Sequence, residues 1–136
     1  MWRLVTRHDH DEAGQLRIDS IMGADPIGML AFGQGSFSAQ FMKRDRAASA
    51  AAAPNPVGAN NSAAVNGYDA YFGSYIVEEP QGRITLTLEG AVSPASVGAV
   101  VTRDVRVSGN GLTIQLATTA FDGVPVTRTL TFERVG

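Results

Sequence analysis

Two arginines stand where the pattern calls for apolar side chains. Arg103 falls in the alternation Val101, Arg103, Val105, Val107, and Arg128 falls in Val126, Arg128, Leu130, Phe132. A guanidinium cannot shed its proton, so two of them on the inner face of a sheet are costly unless an anion or a strong acceptor meets them. In an apolar surround such a pair could grip a carboxylate, an enolate or another oxyanion. The alternative is a rim position, with the stems packed below and the charges in water. Tyr71 and Tyr75 fall on the same face by register. Each could donate a hydrogen bond, act as a general acid, or simply fill the core.

Other chemistry-bearing residues are fewer. His8 continues the row Trp2, Leu4, Thr6 and has the intrinsic pKa of a general base. The tract His8-Asp9-His10-Asp11-Glu12 also reads as an exposed hairpin tip. It is not read as a metal site, because consecutive strand residues point to opposite sides and no distant ligand partner is evident. Gln40 would suit a ligand carbonyl if it faces inward, but Phe37, Ala39 and Phe41 form the more apolar side of its strand. Gly33-Gln34-Gly35 is a turn and not a nucleotide loop, since no helix follows to receive a phosphate.

The elements that must position these residues are strands. The first runs from Trp2 to His8, and its alternation puts Arg3, Val5 and Arg7 opposite the His8 row. A weaker strand is expected around Leu16 to Ile21. A hairpin follows, with Gly28 to Phe32 and Ser36 to Met42 flanking the glycine turn. Arg46 to Asn66 is alanine-rich and broken by Pro54 and Pro56, which predicts a flexible excursion or lid, with a short helix from about Ser62 to Tyr68. From Tyr71 onward, the turn Glu79-Pro80-Gln81-Gly82 pairs Val77 with Ile84 and Tyr75 with Leu86, and brings Tyr71 near Gly90. The wider turn at Ser93-Pro94-Ala95-Ser96 sets Thr87 beside Asp104 and Thr85 beside Arg106. Ser108-Gly109-Asn110-Gly111 pairs Val107 with Leu112, so that Leu116 faces Arg103. The last strand places Arg128 near Ile114. Glu89 then lies on the outer face, where a structural role is expected.

One face thus collects Tyr71, Tyr75, Ile84, Leu86, Leu88, Arg103, Ile114, Leu116, Arg128, Leu130 and Phe132, and the other is threonine and charge. With little helix to cover a flat sheet, closure hides the apolar face and removes the edges. The expected architecture is all-β: a closed or nearly closed up-and-down antiparallel barrel of about eight to ten strands. Residues 1–136 form one domain with a single core.

Composition narrows the partners. A net charge of -2, with the basic run Lys43-Arg44-Asp45-Arg46 broken by an aspartate, argues against a nucleic-acid binder. There is no cysteine, hence no disulfide, thiolate metal site or thiol nucleophile. No stretch is long enough for a membrane span and no signal peptide is legible, so a cytoplasmic location is expected. No cofactor is expected, and the chain is taken as a monomer or homodimer.

Four segments resemble the bacterial lipocalin-like domain family of the calycin group. They are WRLV at Trp2, DPIGMLAFGQGSFSAQFMKRDR, YDAYFGSYIVEEPQGRITLTLEG and the terminal LTFERVG. Their order and spacing cover most of the chain apart from the alanine-rich excursion. The resemblance implies that Trp2 packs at the closed end of a barrel with Arg134 lying across it as a cation–π pair. The glycine that usually precedes this tryptophan by two places is absent, because the chain starts at Met1. Relatives often carry a histidine in the strand matching Arg83 to Gly90, where this chain has Ile84-Thr85-Leu86-Thr87-Leu88. Chemistry that depends on that histidine is therefore not expected here.

The expected function is binding of a small hydrophobic molecule with a polar or anionic head, held by Arg103, Arg128, Tyr71, Tyr75 and Gln40, with Leu86, Leu116 and Phe132 lining the apolar part. The alternative is an isomerase or cyclase acting on a polyketide- or terpenoid-like molecule in the same pocket, an activity that the family resemblance suggests. Arginine would then stabilise an enolate-like oxygen, with Tyr71, Tyr75 or His8 moving the proton. A third possibility is a structural or protein-interaction module that acts through the alanine-rich segment.

Overall fold

Turn chemistry and period-two alternation produce nine strands in the computed structural model, which describes residues 1–46 and 67–136. In chain order they are β1 (Trp2–His10), β2 (Leu16–Arg17), β3 (Ile27–Phe32), β4 (Ser36–Met42), β5 (Tyr68–Glu78), β6 (Arg83–Ala91), β7 (Val100–Ser108), β8 (Gly111–Thr119) and β9 (Pro125–Arg134). All neighbours are antiparallel, and β1 pairs with β9 along its length, which closes an eight-strand barrel. The two-residue β2 pairs with Asp9 and His10 of β1. The weaker strand expected to reach Ile21 thus ends at Arg17, and the chain then folds inward as a loop. The expected lid and most of the short helix lie outside the described residues. Tyr68, at the end of that expected helix, instead begins β5. Among the described residues no helix is long and apolar enough to cross a membrane.

The core is the barrel interior. Leu30, Phe37, Phe41, Tyr71, Ile84, Leu86, Leu88, Leu112, Ile114, Leu116, Leu130 and Phe132 are all buried there. Trp2 sits at one end, with the Arg134 guanidinium 4.6 Å from its ring centroid, as the resemblance implied. The β3–β4 turn reverses through Gly35, whose φ of 77° suits glycine. At the opposite end, Ile21 and Met22 from the loop after β2 are buried in the core.

Three registers differ from those expected. In β6–β7, Thr85 pairs with Thr102 and Arg83 with Asp104, so the ladder slides while every residue keeps its face. Arg128 pairs with Leu116, not Ile114. A bulge at Glu89 brings Phe72 opposite Gly90 and Gly73 opposite Leu88, and this moves Tyr71 to Ala91. The fourth difference has larger consequences. Between β1 and β9, Leu4 pairs with Phe132 and Thr6 with Thr131, which leaves Val5 as an extra residue. A bulge of this kind shifts the alternation by one. Beyond it Arg7 and Asp9 are buried and His8 is exposed, the reverse of the expected faces.

Candidate functional site

Arg103 and Arg128 both project inward from β7 and β9, on either side of β8, and are 7% and 1% exposed. Their surroundings are not alike. The Arg128 guanidinium forms a two-point pair with Asp9, Nε to Oδ1 at 2.7 Å and Nη2 to Oδ2 at 2.8 Å. Its Nη2 also lies 3.5 Å from Asp19 Oδ2. Arg128, expected to hold the head of a ligand, instead meets a carboxylate of the chain itself, because the β1 bulge turns Asp9 inward. Asp19 also accepts from Arg7 Nη1 at 2.8 Å and, through Oδ1, from the Ile21 amide at 2.9 Å. One carboxylate thus ties two arginines to the loop that carries Ile21 and Met22 into the barrel.

Asp69, at the start of β5, is 5% exposed in the same region. Burial pushes its carboxyl above the ordinary range, against the opposing pull of the Arg7 charge, the Ala70 amide and the Arg128 charge. Burial also pushes Asp19 upward, but the Arg7 charge and hydrogen bond, the Ile21 amide and Arg128 together outweigh it and leave that carboxyl below its usual value. The two aspartates act on stability with opposite signs. Asp69 contributes stability that is present below the unfolded carboxylate pKa and lost as pH rises through its raised folded value. Asp19 contributes stability that is present above the unfolded value and lost as pH falls through its lowered one. Asp69→Asn should therefore remove a gain in stability that the wild type shows on acidification from neutral pH towards the ordinary carboxylate range. Urea midpoints of both proteins across that range check this, and parallel curves would refute it.

Arg103 lies in more apolar company. Its Nη1 donates to the Thr102 carbonyl at 3.0 Å. Burial lowers its pKa, with the Tyr71 hydroxyl acting in the opposite direction and Arg128 in the same one. Arg103 and Tyr71 line an interior cavity with Leu30, Phe32, Phe37, Phe41, Ile84, Leu86, Ile114, Leu116, Leu130 and Phe132. Its volume is about 20 Å³, space for a single water. Phe37 and Phe41 pack against Tyr71 with ring centroids 6.0 and 6.3 Å away.

Of the residues expected at the site, Arg103, Tyr71, Leu86, Leu116 and Phe132 thus share one cavity. Tyr75 does not line it: its hydroxyl donates to the Gly33 carbonyl at 2.8 Å and its ring stands edge-on to Phe32. Gln40 faces outward, since Phe37, Ala39 and Phe41 take the inner side of β4. His8 is exposed and opposite Thr129 on the outer face, which corrects its expected inward direction. Arg7, Asp9, Asp19 and Asp69 were not among the residues expected at the site. Asp9 had a usable signal in the need of Arg128 for an anion on the strand that closes the barrel. Among the described residues, no group of three or more histidine, aspartate or glutamate side chains could hold a metal ion.

The arrangement presents one cation and one phenol to an apolar interior, above a separate, internally paired ionic layer. No curated protein matches the chain. The family model for a lipocalin-like domain matches residues 1–135, and barrels of this type suggest small-molecule binding in general. Closed barrel, Trp2–Arg134 stack and near-complete match agree, and the chain belongs to the lipocalin-like domain family.

Proposed function

We propose that the barrel interior binds a small hydrophobic molecule with a polar or anionic head, and that the head meets Arg103 and the Tyr71 hydroxyl. The observation that carries this reading is the composition of the interior cavity, in which a guanidinium and a phenol are set among ten apolar side chains. Apolar pockets with a few placed polar groups are the usual form of small-molecule sites. Leu86, Leu116 and Phe132 would contact the apolar body. Arg128 is assigned instead to Asp9, and so serves the frame of the site. The cavity holds about one water, so ligand entry requires the aromatic side chains that fill the barrel to repack.

Titration with the fluorescent anionic probe anilinonaphthalene sulfonate tests the assignment. Loss of a buried charge-assisted contact in Arg103→Met should weaken binding by about ten-fold or more. Tyr71→Phe should weaken it by a smaller factor. Wild-type affinity in both variants would overturn the reading.

In the isomerase or cyclase alternative Asp69 is a further buried acid, with its carboxyl pushed above the ordinary range by burial. Tyr75 is a poorer proton donor in that scheme, because its hydroxyl is engaged by Gly33.

A further inference from the structure

An opening lies in the wall of the barrel, at the place where β1 and β3 part. Their ladder covers only Trp2 opposite Leu30 and Arg3 opposite Met29, and the same edge of β1 is next paired at Asp9 and His10, by β2. Beside this parting is a cleft of about 500 Å³, within the size range of small-ligand sites. Its lining comes from both faces of the sheet. Leu4, Gly28 and Phe41 belong to the inward rows, whereas Arg3, Met29, Gln40 and Met42 belong to the outward rows. The lining thus takes residues of both rows, in a slot beside the parting of β1 and β3.

Two details show how the slot is built. A Cβ on Gly28 would lie 2.6 Å from Phe41 Cδ1 and 2.9 Å from the Gln40 carbonyl oxygen, so only glycine lets the Phe41 ring rest against β3. Phe41 also lines the interior cavity, so slot and core share this residue. The charged side chains that line the slot are arginines, each with a carboxylate partner outside it. Arg3 and Arg44 line it, no carboxylate does among the described residues, and Arg46 stands over the ring of Tyr68, another lining residue, at 5.4 Å. Arg3 and Arg44 are exposed, and their pairs with Glu133 and Asp25 are of the surface kind that solvent screens.

We propose that this slot is a second binding site, for an anionic amphiphile with a carboxylate head and a single apolar chain. The head sits between Arg3 and Arg44 at the outer rim. The chain lies against Ile27, Met29, Met42 and Tyr68, with its end towards Leu4 and Phe41. The site is distinct from the interior one and does not depend on it: Arg103 takes no part.

The chain's own methionines report on the site. Of its four, Met29 and Met42 line the slot, Met22 is buried at the loop end of the barrel, and Met1 is terminal. Dodecanoate added to protein carrying carbon-13 methionine methyls should shift the Met29 and Met42 signals saturably and leave Met22 in place. The double variant Arg3→Gln/Arg44→Gln should weaken dodecanoate binding by about ten-fold while leaving dodecanol binding unchanged. Arg103→Met should leave the dodecanoate response intact, so the interior reading can fail without this one. Shifts confined to Met22, no saturable shift at all, or an affinity that the double variant leaves unchanged would each overturn the proposal.

Discussion

Arg128→Ala is expected to lower folding stability by about 3–5 kcal/mol, the cost of leaving a buried charge without its partner. Arg128 is among the least exposed side chains described, and the Asp9 side chain that it would abandon is itself 3% exposed. Asp19 would lose its second arginine as well, leaving Arg7 to hold the loop of Ile21 and Met22 alone. The loss should appear as a lower urea midpoint with an unchanged slope. Replacing both partners gives the decisive comparison. Arg128→Met/Asp9→Leu removes the pair but keeps apolar volume, and it should recover most of the deficit, because buried ion pairs contribute little over a packed apolar equivalent. An Arg128→Ala protein within about 0.5 kcal/mol of wild type would show that the pair is not what holds this end of the barrel together.

Gly73→Ala should be nearly as damaging, for a reason of backbone geometry. A Cβ at Gly73 would lie 1.8 Å from the Thr87 carbonyl oxygen and 2.9 Å from the Glu89 amide nitrogen, both main-chain atoms of the paired strand. Neither can swing aside, so β5 and β6 would have to separate at the Glu89 bulge, at a cost of about 3 kcal/mol or more. Gly90, which faces Phe72 at the adjoining pair of the same ladder, gives an internal contrast. The added methyl there would meet the ring of Phe72, which is 55% exposed and free to rotate away. Gly90→Ala should therefore cost clearly less than Gly73→Ala, and Ser74→Ala on the exposed face should stay within about 0.5 kcal/mol of wild type. Thermal or urea unfolding of the three variants orders them, and equal effects at Gly73 and Gly90 would refute the argument.

Much of the barrel was legible in the chain because turn residues and side-chain parity are local properties. The hairpin at Gly33-Gln34-Gly35 and the pairings of Val77 with Ile84 and Val107 with Leu112 agree with the ladders observed. The β6–β7 register slid because the connection through Pro94–Ser96 is longer than a tight turn. The slide covers an even number of residues, so the inward placement of Arg103 survived it. The β1 bulge was not legible, since Leu4-Val5-Thr6 continues a plausible alternation and nothing in it marks an extra residue. That single residue is why His8 was placed inward and Asp9 was left out. A non-local argument reaches it: stepping equally from Trp2 and Arg134 brings Arg128 opposite His8, and one inserted residue makes the opposite position Asp9. The side taken by Gln40 stayed open, and Tyr75 was grouped with Tyr71, for a simpler reason. Face and parity do not say where a hydroxyl ends or which side of a strand an amide prefers.

The seam between β1 and β9 also bears on how the chain reaches this state. The hydrogen bonds of Arg128 to Asp9 span 119 residues, and that between the hydroxyls of Thr6 and Thr131 spans 125. Each closes a loop of nearly the whole chain, a contact of high order with a large entropic cost, so closure is expected late in folding. On that order the ionic layer would stay hydrated until closure. The same residues that lock the finished barrel thus contribute little to its nucleus. Substitutions among them should chiefly change how fast it opens.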